Sequence, residues 1–322
     1  MISFVVIAYN EEHHVCRCLE AIEAQEGLGI HEIIVVDDGS TDATADLVRE
    51  MQVRNDSLRL MGQANRGRGA ARAAGVKAAS GELIAMVDAD ICLPSTWLGT
   101  CLSSIENYDV VGGTAVPDGD VAYLYNTFRL TAVGAPATAT ITGNNGLYRR
   151  QVFEHVMFDE ELCEGEDIDI NHELLANGYR LACLPGLVVE HREDKSLAES
   201  VAWLYESGRG ATRQLFRYQQ VRLPDVAFGG ALVVVAASWL GRSRYPWFAR
   251  LLLPAYLLAT SERHMHSRFV ASGPARYRNR YTGAVAVNAL LIAAYFAGRT
   301  VGVVDLSLSV ARRNTQVVTT VS

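Results

Sequence analysis

Proline and cysteine are scarce in this chain, and charged residues are few. The 322 residues include 8 prolines, and the 27 glycines follow no fixed period, which excludes collagen-like and low-complexity sequences. The 6 cysteines do not form a disulfide scaffold in a chain this long, and their spacing does not suit zinc, so we expect reduced thiols in a cytosolic environment. Apolar residues make up 49% and charged residues 20%, which excludes a disordered chain and provides a core for one large domain or two ordinary ones.

Three common sequence signatures are missing as well. The phosphate loop Gly-x-x-x-x-Gly-Lys-Ser/Thr is absent, and no Gly-x-Gly-x-x-Gly follows the first predicted strand. Gly67-Arg68-Gly69 follows the third strand, but it lacks the last glycine of the dinucleotide fingerprint. No basic leader precedes the first apolar run, so we expect no signal peptide.

Charge is distributed unevenly along the chain. Residues 1–225 contain 18 Lys+Arg and 34 Asp+Glu, whereas residues 226–322 contain 11 arginines, no lysine and 2 acids. An acidic body argues against nucleic acid as a partner, because nucleic acid requires basic charge around the site. The pattern is typical of a soluble head followed by a membrane-associated tail, and we place the boundary near Pro224.

The first half of the chain alternates strand and helix patterns, which predicts parallel β-α-β units. Continuous apolar runs indicate strands that are buried on both faces. The predicted strands are Ser3–Tyr9, Glu32–Val36, Leu58–Met61 and Glu82–Val87, and a strand-like run covers Gly186–Glu190. The predicted helices are Glu11–Ala24, one opened by residues 40–44, Gly67–Ala79, and Ile168–Asn177, which Gly178 closes.

The second half contains three apolar segments, Val226–Leu240, Trp247–Thr260 and Gly283–Val304. Only the third is long enough for a bilayer crossing, which needs roughly 20 apolar residues. The first two are shorter and could form a hairpin or lie at the membrane interface. Five arginines in the loop Ser261–Thr282 indicate a cytoplasmic loop, and two crossings before it would put the N-terminal half on the same side. Aromatic residues at the proposed bilayer edge are Trp239, Tyr245, Trp247 and Phe248. The alternative is a buried helical subdomain of a soluble protein.

Acidic residues follow three of the predicted strands, in the segments Tyr9–Glu12, Asp37–Ser40 and Asp88–Asp90. Ligands of α/β sheets bind beyond the carboxyl ends of the strands, so these segments are expected to converge on one crevice. Two carboxylates at one strand tip repel each other unless a cation lies between them, and hard oxygen ligands suit Mg²⁺ or Mn²⁺ holding a diphosphate. Turn chemistry is a second interpretation of the Asp37–Ser40 segment, and helix capping is the preferred one for Asp42 and Thr44.

Four motifs lie in sequence within residues 3–90. They are Val5–Glu12 (VVIAYNEE), Val35–Asp42 (VVDDGSTD), Asn65-Arg66-Gly67 with the alanine-rich helix after it, and Asp88-Ala89-Asp90. In this order and at this spacing they resemble the glycosyltransferase family 2 pattern. The resemblance implies an α/β fold of the GT-A type, with a catalytic domain over residues 1–225 and a C-terminal helical membrane-associated region over residues 226–322. It also implies a nucleotide-diphospho-sugar donor and inversion at the anomeric carbon.

The resemblance also implies roles for individual residues of the donor side. Ala8, Tyr9 and Glu11 would line the nucleoside pocket, and Asp38 would bind the base edge or the ribose. Either Arg68 or Arg72 would reach the base or the phosphates. Asp88 would touch the ribose, or the metal through water, and Asp90 would ligate the metal.

The acceptor side is implied by two later segments. Thr142–Arg150 resembles the small-residue segment before the acceptor helix of the family, where glycines allow close approach of the backbone. Glu166-Asp167 resembles the Glu-Asp pair of the family, with Asp167 as the general base that takes the proton of a hydroxyl acceptor. Capping of the helix is the alternative for these carboxylates, and an acceptor that is already an anion would need the base less.

Two further features are open to two interpretations each. His191 stands where family members can use a histidine for the metal or diphosphate, and a structural hydrogen bond is the alternative. Gln214-x-x-Arg217-Tyr218 faintly resembles the Gln-x-x-Arg-Trp element of processive polysaccharide synthases, and a basic amphipathic helix at lipid headgroups is the preferred interpretation.

The expected function is a cell-membrane glycosyltransferase whose catalytic domain is cytoplasmic. It would move a sugar from a UDP- or GDP-sugar, with Mg²⁺ or Mn²⁺, to a lipid-linked acceptor. A processive polysaccharide synthase would need a fuller transmembrane channel. A sugar nucleotidyltransferase would need a glycine-rich basic loop where the chain has Asn10-Glu11-Glu12. A non-catalytic membrane scaffold with a transferase-like head is the third alternative, and the joint presence of Asp38, Asp88, Asp90 and Asp167 argues against it.

Overall fold

The chain divides into two compact units in a computed structural model that describes residues 1–117, 121, 141–218, 226–231, 253–261 and 281–319. Unit 1 comprises Met1–Gly119 and Asn126–Asp194, and unit 2 comprises Asp120–Tyr125 and Lys195–Ser322. The units therefore divide upstream of the boundary predicted near Pro224. The physical reason is that a long helix after Lys195 packs on the C-terminal helix of the chain and belongs with it.

The described part of unit 1 contains one eight-stranded sheet and five α-helices. The strands are β1 (Ile2–Ala8), β2 (His31–Asp37), β3 (Leu58–Gly62), β4 (Leu83–Asp88), β5 (Ile91–Cys92), β6 (Val110–Pro117), β7 (Asn145–Arg149) and β8 (Leu181–His191). The helices are α1 (Val15–Glu23), α2 (Thr44–Gln52), α3 (Arg68–Ala78), α4 (Trp97–Ile105) and α5 (Glu166–Ala176), and a short 3₁₀ helix covers Arg150–Glu154.

The strand order of the sheet is β3-β2-β1-β4-β7-β6-β8-β5. Strands β1 to β4 are parallel, which confirms the predicted β-α-β units. β7 is antiparallel to both β4 and β6, and β6 runs parallel to β8. The predicted strands and helices of the first 90 residues are all present, and their ends differ by a few residues. Helix α2 begins only at Thr44 because residues 40–42 bind the loop after β1 instead.

Helices cover both faces of the sheet, which explains the continuous apolar runs. In β1, the side chains of Phe4 and Val6 enter a core with α1, α2 and α4. Those of Val5 and Ile7 enter a second core with α3 and α5. Because successive side chains of a strand point to opposite faces, a strand buried on both sides must be apolar at every position.

Unit 2 contains the long helix α6 (Leu197–Arg217) and the C-terminal helix (Tyr281–Thr319). The two helices are joined by polar contacts as well as apolar packing. Arg299 Nη1 donates to the carbonyl of Ala211 at 3.2 Å, and Thr212 Oγ1 donates to the carbonyl of Arg299 at 3.1 Å. Arg209 on α6 forms an ion pair with Asp305 at 2.9 Å.

Among the described residues, one stretch of the C-terminal helix, Ala284–Val303, is long and apolar enough to cross a membrane. Its mean hydropathy is 1.5, and 33% of it is buried within the protein. It corresponds to the third predicted segment. Residues 226–231 and 253–261 are helical parts of the first two predicted segments. The rest of those segments, the arginine-rich loop over 262–280 and the aromatic cluster around Trp247 lie outside the described residues.

Candidate functional site

The polar ends of β1, β2 and β4 meet at one edge of the sheet, as predicted. Ala8 lies opposite Asp37 in the β1–β2 ladder, and Ile7 lies opposite Asp88 in the β1–β4 ladder. The amide of Asp38 donates to the carbonyl of Ala8 at 2.9 Å. The register of the parallel strands therefore brings the three acidic segments together.

The loop after β1 is fixed to the loop after β2. The amide of Asn10 donates to Ser40 Oγ at 2.9 Å, and the amide of Thr41 donates to Asn10 Oδ1 at 2.8 Å. Asn10 adopts a left-handed backbone conformation, with a φ of 57°. In this loop Ala8 is buried, whereas the side chain of Tyr9 is 48% exposed, which leaves its ring accessible to a ligand.

His14, which the sequence analysis did not select, contacts the predicted pocket residue Glu11. Its Nδ1 lies 2.9 Å from Glu11 Oε2, and its Nε2 lies 3.0 Å from Asp194 Oδ2. The hydrogen bond to Glu11 raises the pKa of His14, and together with Asp194 it outweighs the opposing effect of burial. The sequence signal was the histidine pair that follows Asn10-Glu11-Glu12 directly.

Asp38 organises the loop that leads into α3. Its Oδ1 accepts hydrogen bonds from Gln63 Nε2 at 2.7 Å and from the amide of Arg66 at 2.9 Å, and its Oδ2 accepts from the amide of Gly67 at 2.8 Å. The predicted base or ribose contact stays a prediction: Oδ1 already accepts two hydrogen bonds, whereas Oδ2 accepts one and keeps a second lone pair for a ligand.

Hydrogen bonds support the interpretation of Asp37–Ser40 as a turn and of Asp42 and Thr44 as the start of a helix. The amide of Ser40 donates to Asp37 Oδ1 at 3.2 Å, which is turn chemistry. Asp42 Oδ1 accepts from the amide of Thr44 at 3.0 Å, at the start of α2.

Arg72 lies inside the site, between two carboxylates from different elements. Its Nη2 is 2.8 Å from Asp88 Oδ1 at the end of β4, and its Nε is 3.1 Å from Glu166 Oε1 at the start of α5. Only 1% of Arg72 is exposed; Nε and Nη2 contact these two acids, and Nη1 is buried without a hydrogen-bond partner among the described residues.

Arg68 lies one turn earlier on α3 and is more accessible. It forms an ion pair with Glu164, and its Nε lies 4.0 Å from Glu166 Oε2. The side chain of Arg68 is 36% exposed, against 2% for that of Arg72. Of the two arginines that the sequence offered, Arg68 is therefore the one that a ligand can reach.

Asp167 follows Glu166 in the first turn of α5. Burial raises the pKa of Asp167 to about 6, and the neighbouring charge of Glu166 adds to this; Arg68 and Arg72 oppose it in part. A carboxylate with such a pKa is deprotonated at neutral pH and is a stronger base than an ordinary aspartate.

His191 and Asp90 form a second pair near Asp88. The ladder between β5 and β8 places Ile91 opposite His191, so that His191 Nε2 lies 2.9 Å from Asp90 Oδ2. Burial lowers the pKa of His191, but the charge and hydrogen bond of Asp90 outweigh it and raise the pKa to about 9. Glu193, 5% exposed and 3.5 Å from His191, was missed; it follows His191 by two residues, just beyond the end of β8.

The residues fit a divalent metal only in part. No group of three His, Cys, Asp or Glu side chains stands at ligand spacing within the described residues. Asp90 and His191 supply one carboxylate and one imidazole, and Asp88 is drawn towards Arg72. Such a pair suits a metal that completes its coordination with phosphate oxygens and water, as Mg²⁺ commonly does.

Gly67 is required where the loop meets α3, which gives a first prediction. Its φ is 87°, and a Cβ there would lie 2.7 Å from Cys163 Cα. We expect Gly67→Ala to destabilise the protein by about 1–3 kcal/mol, measured by denaturant unfolding. Gly62→Ala is the control, because a Cβ at Gly62 meets nothing within 4 Å. Equal unfolding midpoints for the two variants would contradict the prediction.

Comparisons with known proteins agree with this geometry. Residues 3–157 match the family model described as glycosyl transferase family 2. The chain is 32% identical over 219 residues to the succinoglycan biosynthesis protein ExoO of Rhizobium meliloti, covering 60% of this chain and 61% of that protein. It is 33% identical over 162 residues to the dolichyl-phosphate beta-glucosyltransferase ALG5D of Trichomonas vaginalis, covering 45% of this chain and 50% of that protein. The chain thus spans about half to three fifths of the length of these two relatives.

A solved structure has a similar fold. It is the mannosyltransferase PcManGT from Pyrobaculum calidifontis in complex with GDP-Man and Mn²⁺. The TM-score is 0.55 at 20% sequence identity, and the match covers 91% of this chain and 85% of that chain. At this identity the similarity concerns the fold alone.

Proposed function

Because this chain belongs to glycosyltransferase family 2 and has the GT-A fold, we propose that it transfers a sugar from a UDP- or GDP-sugar, with inversion, to a lipid-linked acceptor. The observation that carries the proposal is the convergence of the ends of β1, β2 and β4 on the start of α5. There Asp88, through Arg72, meets the Glu166-Asp167 pair. A donor-side carboxylate and a candidate base thus share one site.

The donor side is supported by the residues around the strand ends. The accessible ring of Tyr9 can stack on a base, and Asp38 holds the adjoining loop in place. We propose that the guanidinium of Arg68, whose side chain is 36% exposed, binds a phosphate of the donor. We propose Asp90 and His191 as the protein ligands of Mg²⁺ or Mn²⁺, with Asp88 on the ribose or, through water, on the metal. When bound, the metal would offset the charge that develops on the leaving diphosphate.

On the acceptor side, Asp167 would act as the general base. The acceptor oxygen attacks the anomeric carbon from the face opposite to the diphosphate, while its proton passes to a carboxylate oxygen of Asp167. The bond between the anomeric carbon and the diphosphate oxygen breaks, and the nucleoside diphosphate leaves. Glu166 stays ionised beside Asp167, since Arg68 and Arg72 outweigh the opposing effect of burial and lower its pKa.

A lipid-linked acceptor is proposed on two grounds. One relative is named a dolichyl-phosphate beta-glucosyltransferase, and the C-terminal helix contains the apolar stretch Ala284–Val303. A membrane-attached enzyme would meet an acceptor that resides in the membrane. The catalytic unit would then face the cytoplasm, where nucleotide sugars and reduced thiols are found.

We propose that the C-terminal helix attaches the protein at the membrane interface and does not cross the bilayer. If Ala284–Val303 crossed the bilayer, the packed helix α6 would follow it to the same depth. Glu206 and Arg209, whose side chains are 57% and 41% exposed, would then enter hydrocarbon, where charges are costly. We expect alkaline carbonate to release the protein from membranes; retention in the pellet would support a crossing helix.

A second candidate function is the assembly of a polysaccharide. One relative is named a succinoglycan biosynthesis protein, which favours a glycan product over a simple glycolipid. A processive synthase would release label as long polymer. A non-catalytic scaffold would bind nucleotide without turnover.

The testing experiment uses membranes that contain the protein, a panel of radiolabelled UDP- and GDP-sugars, and Mn²⁺. Label is followed into the organic-solvent extract, with Asp167→Asn as the matched control. We expect label in lipid with the wild type alone. Label in long polymer would instead support the polysaccharide synthase, and nucleotide binding without transfer from any donor would count against the lipid acceptor.

A further inference from the structure

We propose that Arg72 is a positioning residue that ties the donor side of the site to the acceptor side. Its guanidinium would hold Asp88 at the end of β4 and Glu166 at the start of α5 in one fixed arrangement, and thereby place Asp167. The proposal rests on the proposed function for its kinetic readout, although its geometry does not depend on it.

The contacts of Arg72 join elements that are far apart in sequence. The Nη2–Asp88 and Nε–Glu166 pairs, at 2.8 and 3.1 Å, connect α3 with β4 and with α5. Nε and Nη2 of one planar group contact two different carboxylates, the first by a hydrogen bond and the second as an ion pair, so the guanidinium constrains the angle between these carboxylates. The ammonium of a lysine is a point charge on a flexible stem and cannot fix that angle.

The surroundings of Arg72 are closely packed. Its Cζ lies 5.9 Å from the centroid of the Phe158 ring, and a Cβ at Gly143 would lie 3.0 Å from Nη2 and 3.1 Å from Asp167 Cβ. The space beside Gly143, between Arg72 and Asp167, is therefore too narrow for a side chain at this position without a shift of its neighbours. A shift of the guanidinium would be transmitted to the segment that carries Asp167.

Burial also distinguishes Arg72 from a donor-binding residue. With 2% of its side chain exposed, Arg72 has no surface to offer a nucleotide, and its charge is matched by Asp88 and Glu166. Removing one partner of a buried ion pair leaves the other charge uncompensated, which is strongly unfavourable. Arg68, whose side chain is 36% exposed, is the better candidate for phosphate contact, and the two arginines can be compared directly.

The test is a double-mutant cycle on transfer activity with Arg72→Gln, Glu166→Gln and the double variant, in the full-length protein. If Arg72 acts through Glu166, we expect Arg72→Gln to lower kcat about 100-fold, with the donor KM within about threefold of the wild type. The double variant should be no slower than the slower single variant. Arg72→Lys should recover only part of the lost kcat, because lysine restores the positive charge but not the fixed arrangement of N–H donors of a guanidinium. If instead the two single losses of kcat multiply in the double variant, the proposal is overturned.

A second measurement does not depend on turnover. Titration calorimetry with UDP and GDP in the presence of Mn²⁺ should show binding by Arg72→Gln within about threefold of the wild type and a loss of about tenfold or more for Arg68→Gln. Equal losses for both variants would make Arg72 a donor ligand and overturn the proposal. If the wild type binds nucleotide but transfers nothing, the proposed function fails while this comparison still decides the role of Arg72. Arg49→Gln, at an exposed pair on α2, is the control, and circular dichroism checks that each variant is folded.

Discussion

Replacing Asp167 with asparagine is expected to lower kcat by about 10³-fold, the central value for the loss of a general base. The change keeps the size of the side chain and removes the oxygen that would take the acceptor proton. Its effect on the donor KM should be small, because Asp167 lies at the start of α5, on the acceptor side of Arg72. The measurement is steady-state transfer from the donor that labels product best, at several acceptor concentrations.

The pH dependence of the wild type gives a second view of the same carboxyl. Because the pKa of Asp167 is raised to about 6, the basic form is lost as pH falls through 6, and kcat should fall with it. The sign for folding is the opposite: the folded state holds the proton more tightly, so this group makes stability decrease as pH rises from the ordinary aspartate range through 6.

Asp46→Asn is the matched control for Asp167→Asn, because Asp46 is an exposed aspartate on α2 that is paired with Arg49. It should leave kcat unchanged. A loss of less than tenfold for Asp167→Asn, with no acid limb near pH 6, would contradict the general-base role. That result would indicate an acceptor that is already an anion, such as a lipid phosphate, for which Asp167 would only orient the attack.

The second large effect is expected at Asp90. Removing divalent metal with a chelator should lower the activity of the wild type by at least about 100-fold, and added Mn²⁺ should restore it. In Asp90→Asn one anionic oxygen ligand is lost, so the Mn²⁺ concentration for half-maximal activity should rise about 10- to 100-fold. The measurement is a Mn²⁺ titration of transfer at saturating donor.

The Mn²⁺ titration also decides which of Asp90 and His191 are metal ligands. An unchanged Mn²⁺ requirement in Asp90→Asn, with normal behaviour of the Asp46→Asn control, would remove Asp90 from the metal site. A parallel change in His191→Gln would support His191 as the second protein ligand. No effect of His191→Gln on the Mn²⁺ requirement would leave His191 as a hydrogen-bonding partner of Asp90.

The strands and helices of the first 90 residues were predictable because their signals are local. Apolar runs such as Ser3–Tyr9 and Glu32–Val36 are buried on both faces of a parallel sheet and so carry no other pattern. The antiparallel strand β7 was not predicted as a strand. Its sequence, NGLYR, is short and begins with turn residues, and only pairing with β4 and β6 makes it a strand.

The boundary between the units was harder to predict for a similar reason. Helix α6 contains two glutamates and three arginines and no long apolar run, so its composition does not separate it from the first half of the chain. Its contacts with Arg299 and Asp305 join it to the C-terminal helix. Packing partners that lie about 90 residues away leave no trace in a local window.

The sequence by itself contained the family 2 motifs, the signals of the parallel sheet and most of the candidate residues, because motif order and hydrophobic period are properties of the chain alone. The tertiary structure decided which of those residues a ligand can reach and which are buried against one another. Arg68 and Arg72 lie four positions apart and look equivalent in sequence, yet one side chain is 36% exposed and the other 2%. The difference arises from β4 and α5, whose carboxylates surround Arg72 only after the chain has folded.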